Sequence, residues 1–321
     1  IGQKGLKDHD LRYEQAEEFL QLCYKFWEGS WENDAVQKDK AHRIFSDPAK
    51  VHAIQHQGKF YQSQGVFQVS PSIQRTPVLY QAGASPRGLA FATQHAEGMF
   101  IGADSAEKVK KQVQKIRSQT AAQGRDPQAV KLFVGITVVT AETDELAQEK
   151  LAEYIRYANP EAGLAHFSSS IGMNLANIAE DEAIPYQQTN SSASVNQKFK
   201  EQKITRQDLR AQHVLGGRYP LFVGSGANVA EQLIDYLDET GIDGFNLTRT
   251  VAPESHQDFI RLVIPELQQR GRYKTAYDTG SLRQKLFQQG DHLATTHPAH
   301  RYRCRTSDSS SQAALKNVET A

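Results

Sequence analysis

The sequence predicts an α/β fold of parallel strands joined by helices, and three observations carry that expectation. From Thr76 onward, apolar runs of strand length alternate with amphipathic runs of helix length, the signature of successive βαβ units. A small-residue turn, Gln81-Ala82-Gly83-Ala84-Ser85-Pro86-Arg87-Gly88, connects the apolar run Pro77-Val78-Leu79-Tyr80 to a helix that opens at Pro86. Apolar residues make up 39% and charged residues 23% of the 321 residues, the balance of a chain that buries a core. Right-handed crossovers then limit the topology to an open doubly wound sheet or a (β/α)8 barrel.

The elements follow in order. Asp10 through Trp27 has helical periodicity, with Leu11, Ala16, Phe19, Leu20, Cys23 and Phe26 on one stripe and Asp10 as the expected N-cap. After a polar, lysine-containing connection, His52-Ala53-Ile54 and Lys59-Phe60-Tyr61 flank Gln57-Gly58 as a hairpin. The predicted strands of the repeating part are Val78–Gln81, Gly98–Gly102, Lys131–Val139 and Gly244–Leu247. Its predicted helices are Arg87–His95, Ser105–Gln123, Asp144–Tyr157, Ala227–Thr240 and Glu254–Gln269.

Four such strands are too few to close a barrel. Half a barrel leaves strand edges unpaired and one side of the core open, with self-association of the chain as a consequence; that the chain is the C-terminal half of a larger (β/α)8 domain rests partly on the family resemblance below. The chain begins at Ile1 without an initiator Met, which fits a fragment or processed product.

Lys plus Arg equals Asp plus Glu at 37 each, so charge argues for neither nucleic acid nor an anionic membrane surface. The longest apolar run, Leu132 to Val139, contains Gly135 and Thr137 and falls far short of the ~20 residues that cross a bilayer. Only Cys23 and Cys304 are present, which excludes a disulfide framework and a cysteine metal cluster and makes the cytoplasm the default location.

A strand that ends in a glycine turn and feeds a helix presents free N–H groups and the positive end of the helix dipole, which is a seat for phosphate. Here Gly83 permits close approach and the Ser85 hydroxyl adds a hydrogen bond, although an ordinary strand-to-helix turn has the same composition. His9 and Tyr13 stand four apart at the start of the first helix, so imidazole and phenol share one side of it. Spacing alone equally suits two surface or packing residues.

The stretch from Asn159 to Gln212 breaks the strand–helix rhythm, is rich in Ser and Asn, and reads as a functional or mobile insertion. Within it His166 has small and apolar neighbours and is a candidate hydrogen-bond donor or proton shuttle, against the alternative of a histidine satisfied within a loop. Gly224-Ser225-Gly226 lacks the third glycine of a dinucleotide fingerprint and is better read as helix entry after Val223. His292, His297 and His300 lie among Arg301, Arg303 and Arg305, a composition that favours a solvated basic arm over a metal site. The Ser-rich last dozen residues read as disordered.

Four motifs occur in one order: His9-Asp10-Leu11-Arg12-Tyr13 with Ala16-Glu17-Glu18-Phe19; Gln81-Ala82-Gly83-Ala84-Ser85 with Gly88; Gly241-Ile242-Asp243-Gly244-Phe245-Asn246-Leu247; and Val263-Ile264-Pro265-Glu266-Leu267-Gln268-Gln269-Arg270-Gly271. That order resembles the bacterial-luciferase-like flavin monooxygenases, in particular the group of nitrilotriacetate, dibenzothiophene sulfone and long-chain alkane monooxygenases. The resemblance extends through about Arg283 and includes Arg272-Tyr273-Lys274-Thr275-Ala276-Tyr277, which looks like that group's C-terminal arm.

The resemblance implies a TIM-barrel-like enzyme that receives reduced flavin mononucleotide (FMN) from a separate NAD(P)H:FMN reductase and uses O2 to oxygenate a small organic substrate. It implies that His9 and Tyr13 contact the flavin phosphate region and that Ala84 and Ser85, after Gly83, form the phosphate turn; no metal is expected to take part. The group commonly has two serines where this chain has Ala84-Ser85, so one hydroxyl donor is absent. Residues 1–270 are then the C-terminal part of the barrel domain with a lid at about 159–212, followed by an arm at 271–305 and a tail at 306–321. A homodimer or higher homo-oligomer is expected. A catalytically inert or truncated flavin-binding relative is the alternative, because the group's flavin ring and much of its substrate pocket rest on strands that these residues do not include.

Overall fold

A computed structural model describes residues 7–83, 85–102, 105–186, 199–200, 202–215 and 219–304. The chain divides into two units, Asp10–Leu79 with Gly280–Ala321, and Ile1–His9 with Tyr80–Thr279.

The smaller unit is built on helix α1, His9–Gly29. The helix starts at His9, so Asp10 lies inside its first turn rather than capping it, where its charge still favours the positive helix end. Two hairpins follow, β1 (Val36–Asp39) with β2 (Ile44–Ser46) and β3 (Ile54–Gln57) with β4 (Gln62–Gly65). The second is the expected hairpin with both strands shifted toward the C-terminus, so that Gly58 to Tyr61 form its turn. Glu18 fixes that turn, its carboxylate accepting from the Phe60 and Tyr61 amides at 2.9 and 2.7 Å. The first hairpin was not expected, because Val36-Gln37-Lys38-Asp39 has one apolar residue and its turn depends on Lys38 and Arg43 at φ 50° and 59°.

The arm corrects a second expectation. Its histidine- and arginine-containing end is packed, not solvated: Leu293, Ala299 and His297 are buried, and Leu293 and Ala299 join Tyr24, Leu20, Trp27, Leu79 and Tyr302 in the unit's core. His297 lies edge-on to Tyr24 at 5.7 Å and its Nδ1 accepts from the Ala299 amide. Tyr277 and Leu282 are exposed, and the buried Arg283 anchors the arm by donating to the carbonyls of Gln74, Thr76 and Asp291.

The larger unit carries a five-stranded parallel sheet. Its strands are β5 (Tyr80–Ala82), β6 (Gly98–Ile101), β7 (Lys131–Ala141), β8 (Leu221–Ser225) and β9 (Gly244–Thr248). Helices α2 (Pro86–His95), α3 (Ala106–Ala122), α4 (Asp144–Tyr157), α5 (Pro160–Ile171), α6 (Arg206–Gln212) and α7 (Gly226–Thr240) fill the connections. The closing helix runs from α8 (Glu254–Asp258) through a π turn, Phe259–Val263, into α9 (Ile264–Gln269).

Strand β7 organises the sheet. The Lys131 amide donates to Glu97 on the β6 side and the Thr137 amide to Pro220 ahead of β8, so both neighbours use the edge that odd-numbered residues address. The opposite edge pairs with β9 from Phe133 to Thr137. The order β5, β6, β7, β9 is the run of adjacent parallel strands expected of half a (β/α)8 barrel. Strand β8 is an addition that was not expected, since its five residues follow directly on the polar insertion.

Alternation along β7 separates two faces. Leu132, Val134, Ile136 and Val138 are buried with Leu89 and Ala92 of α2, Val109, Val113 and Ile116 of α3, and Val229, Ala230 and Leu233 of α7. Phe133 lies on the other face with Tyr80 and Phe100, ring centroids about 6 Å apart. Tyr80 and Phe100 remain 42% and 39% exposed, so the face that would line a barrel is open. Asp243 ties the sheet to α3, its carboxylate accepting from the Leu132 amide (2.8 Å), Arg117 (2.7 Å) and Lys131 (3.2 Å).

The described part of the insertion has a core of its own, in which Leu164, Phe167 and Ile171 of α5 pack with Met173, Leu175, Ile184 and Leu209. Its polar composition concealed this because the apolar residues are spread over three short segments. Asn190-Ser191-Ser192, Ala84 and the tail 306–321 lie outside the described residues.

Candidate functional site

Strand β5 ends at Ala82, and Gly83 turns the chain at φ 144°, a conformation that side-chain-bearing residues avoid. Ser85 is the N-cap of α2, its Oγ accepting from the Gly88 amide at 3.0 Å, and Pro86 takes the first helical position. Capping consumes a lone pair and leaves the Ser85 proton for a second partner. The His9 Nε2 lies 3.3 Å from that Oγ. The structure therefore brings together two residues 76 positions apart that the sequence singled out separately. Tyr13 lies one turn further along α1, in the part of the chain that belongs to the smaller unit. The first turn of α2 contains no acidic residue and does contain Arg87, so its own sequence leaves the positive helix end uncompensated.

The other glycine turn is the instructive contrast. At the start of α7 the Asp144 carboxylate accepts from the Ser225 amide at 2.6 Å and from the Asn228 side chain at 3.2 Å. These hydrogen bonds, the Ser225 amide foremost, hold the Asp144 carboxyl below the usual carboxylate range. An internal anion already occupies the position a phosphate would take. Gly226 is required by packing, since a Cβ there would stand 2.2 Å from the Leu262 carbonyl oxygen in the π turn. Helix entry after Val223 is the correct reading of this motif.

His166 lies on the exposed side of α5, whereas Leu164 and Phe167 face the insertion core. It is not among the residues lining the cavity described next. Cys23 and Cys304 are half-buried and burial pushes both thiols above their ordinary range, so neither is poised as a nucleophile. Among the described residues there is no group of three or more His, Cys, Asp or Glu side chains arranged to hold a metal ion, and no helix is long and apolar enough to cross a membrane.

Sequence reasoning missed a cavity of about 220 Å3 lined by Thr137, Leu151, Ile155, Ala211, Gln212, Val214, Leu215, Tyr219 and Leu221. It is assembled from β7, α4, the end of α6 and β8, so no local spacing announces it. The one available signal was Gly135 inside an apolar strand, where a glycine marks a close approach. The Tyr219 ring occupies that space, 2.4 Å from where a Cβ would stand.

The sequence matches the family model for luciferase-like monooxygenases over residues 1–244. It is 43% identical over 308 residues to a dimethyl-sulfide monooxygenase of Hyphomicrobium sulfonivorans, covering 94% of this chain and 64% of that protein. It is 41% identical over 304 residues to a long-chain alkane monooxygenase of Geobacillus thermodenitrificans, covering 94% and 66%. Among solved structures, a riboflavin lyase with modified FMN and riboflavin superposes with a TM-score of 0.86 at 35% identity, over 94% of this chain and 67% of that one. The chain thus spans about two thirds of the length of these relatives. The order of strands, the glycine turn with its serine cap and the extent of these matches agree, and the chain belongs to the luciferase-like monooxygenase family.

Proposed function

We propose that the protein is the oxygenating component of a two-component flavin monooxygenase. It takes reduced FMN from a separate NAD(P)H:FMN reductase, uses O2 as co-substrate and oxygenates a small organic molecule, acting as a homo-oligomer. The observation that carries this reading is the Ser85–His9 pair at the N-terminus of α2, together with membership of the family.

The residues present fit a phosphate monoester. The Ser85 hydroxyl and His9 supply donors, the helix dipole favours a dianion, and no carboxylate of the first turn opposes it. Tyr13, one turn from His9, is proposed as a further donor to the same group. Reduced flavin, when bound, supplies the oxygen chemistry itself. What this chain contributes is an anchor. Ser85 and His9 would hold the phosphate at the C-terminal end of β5, the end at which barrel enzymes bind phosphates. His166 is retained as a proposed proton carrier at the lid surface.

Fluorescence titration tests the anchor. Each hydrogen bond to a charged phosphate contributes about 1.5–3 kcal/mol, so Ser85→Ala and Tyr13→Phe should each weaken FMN binding by about one to two decades. Riboflavin, which lacks the phosphate, should bind parent and variants alike and weakly. Equal affinity of parent and both variants for FMN would remove the anchor from the proposal.

A further inference from the structure

We infer that the cavity beside Tyr219 binds a small, uncharged, largely apolar organic molecule. As the substrate site of the proposed oxygenation it rests on that reading; as a ligand site it stands on its own geometry. Leu151, Ile155, Val214, Leu215 and Leu221 of its lining are aliphatic, and among the described lining residues there is no Asp, Glu, Lys, Arg or His. A charged guest would find no counter-ion among these described residues, whereas an uncharged one covers exposed aliphatic surface. Three polar side chains remain to orient the guest, and one of them is committed: the Thr137 Oγ1 is bonded to the Thr248 Oγ1 at 2.9 Å. The Gln212 amide and the Tyr219 hydroxyl are left to meet one weakly polar group.

Size narrows the class further. An apolar cavity of roughly 150 Å3 accepts benzene, and sites for drug-sized ligands begin at about 300 Å3. At about 220 Å3 this cavity suits one ring with a short substituent, or an aliphatic compound of similar bulk. Tyr219 sets one wall because Gly135 lets its ring lie against β7, so the glycine and the tyrosine together determine the width.

The test uses methyl-labelled protein and two probes of matched size, toluene and benzoate. Toluene should shift the methyl resonances of Leu151, Ile155, Val214, Leu215 and Leu221 saturably, and benzoate at the same concentration should leave them in place. Ala211→Phe, at an exposed position on the cavity rim, should fill the space and weaken toluene binding at least tenfold. Gly135→Ala, which displaces the Tyr219 ring, should do the same, and if that variant does not fold the Ala211→Phe result decides. Benzoate binding as tightly as toluene, shifts confined to other methyls, or unchanged toluene affinity in Ala211→Phe would overturn the inference. FMN titrated into the same samples separates the two ideas, since toluene binding without FMN binding upholds the cavity and removes only the oxygenation reading.

Discussion

Gly226→Ala is the perturbation whose cost the structure specifies best. Its Cβ would stand 2.2 Å from the Leu262 carbonyl oxygen and 2.7 Å from the carbonyl carbon, both backbone atoms of the π turn. Relief requires the start of α7 and the π turn to move apart by about 1 Å, since ordinary contact begins near 3.4 Å and backbone has no alternative rotamer. Overpacking of this kind costs about 1–3 kcal/mol, and a backbone obstacle places it at the upper end. Alanine returns up to about 1 kcal/mol through helix propensity, for a net loss of about 2 kcal/mol. Gly135→Ala is the matched control. There the obstacle is the Tyr219 ring, 46% exposed and free to swing outward, so the loss should stay within about 1 kcal/mol. Urea unfolding followed by far-UV circular dichroism measures both from the shift in midpoint. Gly226→Ala as stable as the parent, or Gly135→Ala costing more than Gly226→Ala, would refute the reasoning.

Asp144→Asn should reduce stability at neutral pH, because the depressed folded pKa of Asp144 gives a contribution that is complete above its unfolded value of about 3.9 and is lost as pH falls through the lower folded value. The gap between parent and variant in urea midpoint should accordingly close on acidification below pH ~4. Asp243→Ala should cost about 3 kcal/mol by thermal or urea unfolding, since it strands the Leu132 amide and leaves Arg117 without its carboxylate partner. The exposed rings of Tyr80 and Phe100 should drive association of this chain, visible as concentration-dependent sedimentation that Phe100→Lys diminishes.

The parts of the fold that the sequence disclosed are those with long, regular patterning. Asp144–Tyr157 is helical over the expected residues, and β6 and β7 agree with expectation to within two residues at either end. The elements that escaped are short or depend on distant partners. Strand β8 exists because its backbone pairs with the protruding C-terminal half of β7, which no property of Leu221-Phe222-Val223 announces. The π turn arises within a run whose helical periodicity is otherwise unbroken, and the arm is buried through Arg283, whose charge is satisfied by three backbone carbonyls that only the fold assembles.

The site divides in the same way. Ser85 capping a helix after a glycine turn is local chemistry and was legible. The approach of His9 to Ser85 came to the sequence reading through the family resemblance and has no local signature. The same is true of the Asp144 carboxylate at α7, which turns one of two similar glycine turns into an ordinary helix start.

The account's central claim is that α2, capped by Ser85 and flanked by His9, holds the flavin phosphate. A crystal structure of the protein grown with FMN tests it most directly. The expected result is phosphate oxygen within hydrogen-bonding distance, about 2.6–3.2 Å, of the Ser85 Oγ and of His9. Phosphate bound at the N-terminus of α7 or elsewhere, with Ser85 still paired to His9 alone, would contradict it.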